Sequence, residues 1–270
     1  MAGRGLRYTL GILFCRVIPA SIFRYRCMEI VRLDDVSKKD VPKNQGANQR
    51  SEEAPYRVRL AESSDELAKI ERVTLFDRCS YQQSAGSGIA SDSDEPSLSA
   101  YGLARDTVSG SKVGATEPAQ SWSEIVGGVW IATDRFIESD LHLQIDLAKH
   151  QRWLFAARLS PEVRGRGAYS TLLHEVLAAE SPTGSGAASQ VTARDEVTAV
   201  WAAINPTNHR SVRAHARFRI ATAGRIHLIR IGSLAVGWRG RSSAGFQLSI
   251  NRSWTIRGTE FPILMRVTKV

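Results

Sequence analysis

One segment constrains this chain more than any other: "RWLFAARLSPEVRGRGAYSTLLHEVL", residues 152–177. Arg152 to Ser160 is nearly continuous apolar sequence, as in a central strand covered on both faces. Arg164 to Gly167 then holds two glycines and two arginines, which make neither a good helix nor a good strand. After them Tyr169, Leu172, Leu173, Val176 and Leu177 fall at i, i+3, i+4, i+7 and i+8, one stripe of an amphipathic helix. A strand, a glycine loop and a helix in that order make an anion site. The first helix amides lack intrahelical partners, and the helix dipole leaves partial positive charge there. Glycine lets a phosphate approach the backbone, and arginine can hold it with two donors. A Walker loop is excluded because no Gly-Lys-Ser/Thr follows. A dinucleotide fingerprint is excluded because Ser170 stands where the third glycine belongs.

The flanking sequence alternates strands and helices. "CMEIVRLDDV" (Cys27–Val36) reads as a short strand and "SKKDVPKNQGANQRSEEAP" (Ser37–Pro55) as a linker. Tyr56, Val58 and Leu60 alternate with arginines, a half-buried strand. Leu67, Ile70, Val73 and Phe76 then recur every third residue behind Ser63 and Glu66, which form a capping box. Residues 82–122 are rich in Ser, Gly, Ala and Asp without periodicity, as in a disordered insert. Glu124–Phe136 and Leu141–Leu147 read as strands, Ser181–Gln190 as a flexible loop, Val197–Ile204 as a strand and Asn208–Phe218 as a short basic helix. Further strands are expected at 225–232, around Phe246–Ile250 and at Pro262–Val267. The pattern implies an α/β (α+β) fold built on a mixed sheet.

Charge is unevenly spread. Residues 1–50 carry ten Lys/Arg against four Asp/Glu, and residues 205–270 carry twelve against Glu260 alone. A basic end attracts anions, although a solvated basic face is the plainer reading. The three cysteines are too few and too far apart for a disulfide framework or a zinc site, so a reducing, cytoplasmic setting and no metal are expected. The apolar stretch Tyr8–Phe23 is broken by Arg16 and Pro19 and is shorter than the about twenty residues a span needs. It reads as an N-terminal helix docked on the domain. Weak contact of residues 8–26 with a membrane surface is the alternative.

The loop resembles the central signature of the GNAT superfamily of acetyl-CoA-dependent N-acetyltransferases. That signature is a strand, Pro-Glu, Q/R-x-x-G-x-G/A and a leucine-rich helix. Pro161-Glu162, Arg164, Gly167 and Leu172-Leu173 follow it, with Tyr169 where Gly or Ala is usual. The family's next element, V-x-P-x-N-x-x-S/A and a helix ending Y-x-x-x-G-F, is matched by Pro206, Asn208 and Ser211. His215 stands at the tyrosine, and Arg219-Ile220 replace Gly-Phe. The resemblance runs from about Tyr56 to Ile231.

It implies a mostly antiparallel central sheet flanked by helices. The domain would be 51–232, with the insert 82–122, an N-terminal extension 1–50 and a β-rich C-terminal extension 233–270 packed on it. It implies an acetyl-CoA diphosphate on Arg164, Gly165, Arg166, Gly167, Ala168 and Tyr169, with Ser170 as a hydroxyl contact. The pantetheine arm would pair with backbone near Ala157 to Leu159, where two strands splay apart. Asn208 and Ser211 would touch the arm or hold the strand end. A primary amine, on a small molecule or a peptide, would attack the thioester directly, and a backbone N–H would meet the developing oxyanion. His215 would be the acid for the leaving thiolate, since its ordinary pKa lies near neutral. Glu124, Asp134 and His142 lie near acceptor-side strands, and none is assigned as the base. Two other readings stand beside the transferase: a fold of this kind that binds CoA or another anion without turnover, and, last, a nucleic-acid or anionic-surface binder using the basic end. No nucleic-acid motif supports the last.

Overall fold

The computed structural model describes residues 17–19, 23–34, 56–86, 97–105, 124–138, 143–180, 199–232, 234–242, 245–250, 254–256 and 263–267. It is a mixed α/β fold with one large, mostly antiparallel sheet flanked by few helices. The strands are β1 (Phe23–Leu33), β2 (Tyr56–Leu60), β3 (Leu98–Arg105), β4 (Ile125–Ala132), β5 (Arg135–Glu138), β6 (Leu143–Asp146), β7 (Gln151–Leu159), β8 (Ala199–Ile204), β9 (Arg219–Ile231), β10 (Leu234–Ser242), β11 (Gly245–Ile250), β12 (Trp254–Ile256) and β13 (Ile263–Val267). The helices are α1 (Ser64–Thr74), α2 (Arg78–Gly86), α3 (Ala168–Glu180) and α4 (His209–Ala216).

Nine strands run in the order β11-β10-β9-β1-β8-β7-β4-β3-β2, and a smaller sheet runs β12-β13-β6-β5. The pair β7–β8 is parallel, with α3 as its crossover. The other pairs in the large sheet are antiparallel.

Burial follows side-chain chemistry. In β7, Trp153 faces one side and Leu154 the other, and both are buried, as the apolar run requires. The α3 side of the sheet holds Val31, Val129, Leu154 and Val200 against Leu172, Leu173, Val176 and Leu177. Each of those α3 side chains is worth about 1.5–3 kcal/mol of burial, so the helix is fixed by its stripe. The opposite side carries α1 and α2 over Trp130, Trp153 and Trp201. The capping box of α1 is present: Ser63 Oγ accepts from Glu66 N at 3.3 Å, and Glu66 Oε2 accepts from Ser63 N at 3.2 Å. Thr74 Oγ1 donates to Ile70 O (2.7 Å) and accepts from Trp130 Nε1 (3.1 Å), which ties the end of α1 to β4. Close approach of α1 needs Gly128, where a Cβ would stand 2.8 Å from Ile70 Cγ2.

Several boundaries differ from the sequence reading. The segment 82–122 is not patternless throughout: α2 extends to Gly86, and Leu98–Arg105 is an internal strand paired with β2 and β4. Its short run of mostly small residues hid a strand whose Ala100, Tyr101 and Leu103 are buried. Residues 87–96 and 106–123 lie outside the described residues, as do 35–55 and 181–198, which include both expected loops. Glu124–Phe136 is two strands, because the chain turns at Thr133–Asp134 and enters the second sheet. The expected N-terminal helix, Tyr8–Phe23, does not include its last residue: Phe23–Leu33 is a strand between β8 and β9, inside the large sheet. Its Ile30 and Val31 bury on opposite faces, which makes this segment part of the core. Residues 1–16 and 20–22 lie outside the described residues. From the C-terminal segment, β10 and β11 continue the large sheet while β13 pairs with β6. Among the described residues no helix is long and apolar enough to cross a membrane.

Candidate functional site

The site begins where the parallel pair opens. β7 and β8 are in register from Gln151↔Ala199 to Leu154↔Ala202 and no further. Beyond that point β8 stays with β1, to Ile204↔Glu29, and β7 stays with β4, to Leu159↔Gly127. A wedge therefore opens along residues 155–159. The register between β4 and β7 also slips between Gly128↔Arg158 and Trp130↔Phe155, leaving an extra residue on β7. That β-bulge bends the strand, and it places Ala156 at φ 48°, a left-handed conformation unusual for alanine.

The glycine loop closes the open end. A single 3-10 turn, Pro161–Val163, is pinned by buried Val163. Gly165 (φ 78°) and Gly167 (φ 81°) follow, with open space where a Cβ would stand. Backbone conformation, then, is what requires glycine at these positions. Ser170 N and Thr171 N both donate to Gly167 O, at 2.8 and 3.1 Å, so α3 starts on that carbonyl. The amides of Gly165, Arg166, Gly167, Ala168 and Tyr169 have no acceptor among the described residues. Five successive N–H groups without an acceptor among the described residues thus stand at the positive end of a 13-residue helix, where the dipole favours an anion.

The two loop arginines differ. Arg164 turns back onto β7, where its Nε and Nη2 donate to Leu159 O at 3.0 and 2.8 Å. It fastens the loop to the strand end rather than extending over the helix start, and it occupies the carbonyl expected to pair with a ligand arm. Arg166 is exposed on the loop and has no partner among the described residues.

His215 is also arranged differently from the expectation. It is 5% exposed and does not line the cleft. Its Nδ1 lies 2.8 Å from Ser211 O and 3.3 Å from Ser211 Oγ, and its Nε2 lies 3.0 Å from Tyr169 Oη. A carbonyl can only accept, so Nδ1 carries the proton and Nε2 accepts from the Tyr169 hydroxyl. Burial lowers the His215 pKa, against the raising effect of the Ser211 carbonyl, and burial pushes the Tyr169 phenol upward. A neutral imidazole whose free lone pair already receives a proton donor is poised to take a proton and not to give one. The expected acid role of His215 would have to run through Tyr169, since the imidazole does not reach the cleft wall.

Asn208 caps α4, its Oδ1 accepting from Ser211 N at 3.1 Å. That cap sets α4 across the wedge. A cleft of about 880 Å³ results, bounded by Ala157, Arg158 and Leu159 of β7 and by Arg164 and Gly165 of the loop. Tyr169 of α3 and Asn208, Arg210, Ser211, Arg213 and Ala214 of α4 complete it. Of the residues expected at the site, Ala157, Leu159, Arg164, Gly165, Tyr169, Asn208 and Ser211 thus meet in one cleft. Arg166 and Gly167 are exposed on the loop beside it, Ala168 is in the core, and Ser170 is half-buried on α3. Sequence reasoning missed Arg158, Arg210 and Arg213. The available signal was an arginine pair at i and i+3 in a helix with no acid in its first turn. Glu124 is ion-paired with Arg105 (3.7 Å), Asp134 accepts from Thr133 Oγ1 (3.4 Å), and His142 lies outside the described residues. Among the described residues no group of three or more His, Cys, Asp or Glu side chains is placed to hold a metal ion.

No family model matches this chain, and no curated protein matches it. Among solved structures, the chain is similar to a crystal structure described as a functionally unknown conserved protein from Staphylococcus epidermidis ATCC 12228. That similarity has 10% identity and a TM-score of 0.37 over 91% of this chain, and the chain spans 63% of the other protein's length. A likeness of that degree carries no argument about fold or activity.

Proposed function

We propose that the protein is an N-acyltransferase of GNAT type, taking an acetyl group from acetyl-CoA to a primary amine. One observation carries the reading: five amides at the start of α3, without an acceptor among the described residues, stand beside the wedge between β7 and β8, and two of their residues, Gly165 and Tyr169, line its cleft with arginines. The element order from β2 to β9, with a parallel pair splayed around a crossover helix, supports the GNAT resemblance.

The residues present fit the coenzyme. The amides of Gly165 to Tyr169, with Arg166 beside them, would hold a diphosphate. Residues 155–158, released from β8, would offer a strand edge to an extended amide-bearing arm, short of the Leu159 carbonyl that Arg164 holds. When bound, the coenzyme supplies the thioester whose acyl group is transferred. The chain supplies binding and orientation, which account for much of the rate in a reaction of this kind. The pair Tyr169–His215 supplies a proton acceptor: Tyr169 Oη passes its proton to His215 Nε2 while it accepts another from the cleft. Ser211 O then stabilises the imidazolium through Nδ1–H.

The withdrawal of His215 from the cleft wall favours a second reading, a coenzyme-binding protein without turnover. One experiment separates the two. Acetyl-CoA is incubated with the protein and a panel of primary amines, and free thiol is followed; in parallel, unfolding is recorded with and without CoA. A ligand at one hundred times its dissociation constant adds about 2.7 kcal/mol of stability. Thiol release that depends on an amine is the expected result. Stabilisation without thiol release selects the binding protein, and neither effect overturns both readings.

A further inference from the structure

The outer end of the large sheet carries an apolar face that the candidate site does not use. Residues opposite one another in paired strands share a face, and so do alternate residues along a strand. Phe23↔Ile231↔Leu234 and Tyr25↔Ile229↔Val236↔Ile250 therefore stand on one face of β1, β9, β10 and β11. Ile231 is 50% exposed, Leu234 41% and Ile250 50%, and Phe23, Ile229 and Val236 are only half-buried. The next row inward is Cys27↔His227↔Trp238. There Tyr25 Oη lies 2.8 Å from His227 Nδ1, and imidazole and indole are stacked with centroids 5.1 Å apart. Further in, Glu29 pairs with Arg219 (3.1 Å) and Arg225 (3.9 Å). Arg24 and Arg230, opposite each other, belong to the other face of the sheet. What the patch presents is hydrocarbon, so its occupant is apolar.

The sequence places such an occupant at the corner of the patch. β1 begins there, at Phe23, and the chain before it is the apolar stretch "YTLGILFCRVIPASI", Tyr8–Ile22. Phe23 N donates to Pro19 O at 3.1 Å, which bends the chain at the foot of β1 instead of letting it run on past the sheet. Residues 8–16 would span about 14 Å as a helix, and four strands about 4.8 Å apart are about as wide. We propose that residues 8–16 dock their apolar side chains on the face formed by Phe23, Ile229, Ile231, Leu234, Val236 and Ile250, and so close the outer end of the sheet. The docking stands independently of the coenzyme reading.

Cys15 lies in the segment and serves as the probe. Leu234→Cys, Val236→Cys and Ile250→Cys are made singly in the full chain, together with Cys79→Ser, which removes an exposed native thiol. Leu60→Cys, on β2 at the far edge of the same sheet, is the control. Each protein is oxidised at high dilution, and the linked peptides are identified by mass spectrometry without reduction. A disulfide needs Cβ atoms about 3.5–4.5 Å apart. The expected result is linkage of Cys15 within one chain to at least one patch position, with loss of both free thiols, and none to the control. Linkage between two chains overturns the proposal and gives the face to a second copy. Equal linkage at the patch and the control overturns it as well, since a tether that docks nowhere reaches both. Linkage at none of the three positions also overturns it; sedimentation of the same protein with phosphatidylserine vesicles then assigns the segment to a membrane surface.

Discussion

Replacing Tyr169 by Phe tests the link between α3 and α4 across the cleft. Its hydroxyl donates to His215 Nε2 at 3.0 Å, and His215 is 5% exposed with its other nitrogen committed to Ser211 O. Removing one oxygen leaves no cavity of consequence, since the ring still packs edge-on to the imidazole, with centroids 5.4 Å apart. The cost is therefore the lost hydrogen bond plus a buried acceptor without a donor, about 1–3 kcal/mol. The residue as a whole is half-buried but its phenol is buried, so water replaces the hydroxyl poorly, and about 2 kcal/mol is expected. That corresponds to roughly 4–8 °C in Tm for a chain of this size. Urea unfolding followed by circular dichroism at pH 7.5 measures it. In a double-mutant cycle with H215Q the two changes should couple by about 0.5 kcal/mol or more. An unchanged midpoint, or strict additivity, would refute the hydrogen bond and with it the proton path through Tyr169.

Two further outcomes are expected. Burial lowers the pKa of His215, and burial followed by Arg225 lowers that of His227, so the unfolded chain binds more protons. Stability should fall as the pH drops below about 7 through the ordinary histidine value of 6.5 and level off below the folded values; H215Q should flatten that slope. Gly127→Ala would place a Cβ 2.3 Å from Leu159 Cδ2 and 3.2 Å from Arg158 O, so overpacking of about 1–3 kcal/mol should accompany weaker CoA binding as the end of β7 shifts. A variant with native stability and affinity would reject that coupling.

Much of the fold was legible because it rests on local periodicity. The α3 stripe predicts Leu172, Leu173, Val176 and Leu177 as core, and all four are buried. The Ser63–Glu66 box marks the start of α1, and Asn208 the start of α4. The strand β3 was not legible, because a run of Ser, Ala, Gly and Leu buried by both neighbours has no alternation to read. The extent of β1 was missed because its first residues share an apolar, basic composition with the segment before them.

In the site the division is sharper. Residue order alone determined that a core strand runs into a glycine turn and then a striped helix, since glycine at positive φ and leucines on one helix face are local requirements. Only the tertiary structure decided where the side chains at that turn point. Arg164 finds Leu159 O, His215 lies 46 positions from Tyr169 yet bonds to it, and Arg158, Arg210 and Arg213 line one cleft. Long flexible side chains take their partners from whatever the packed sheet brings within reach, and no sequence period encodes that distance.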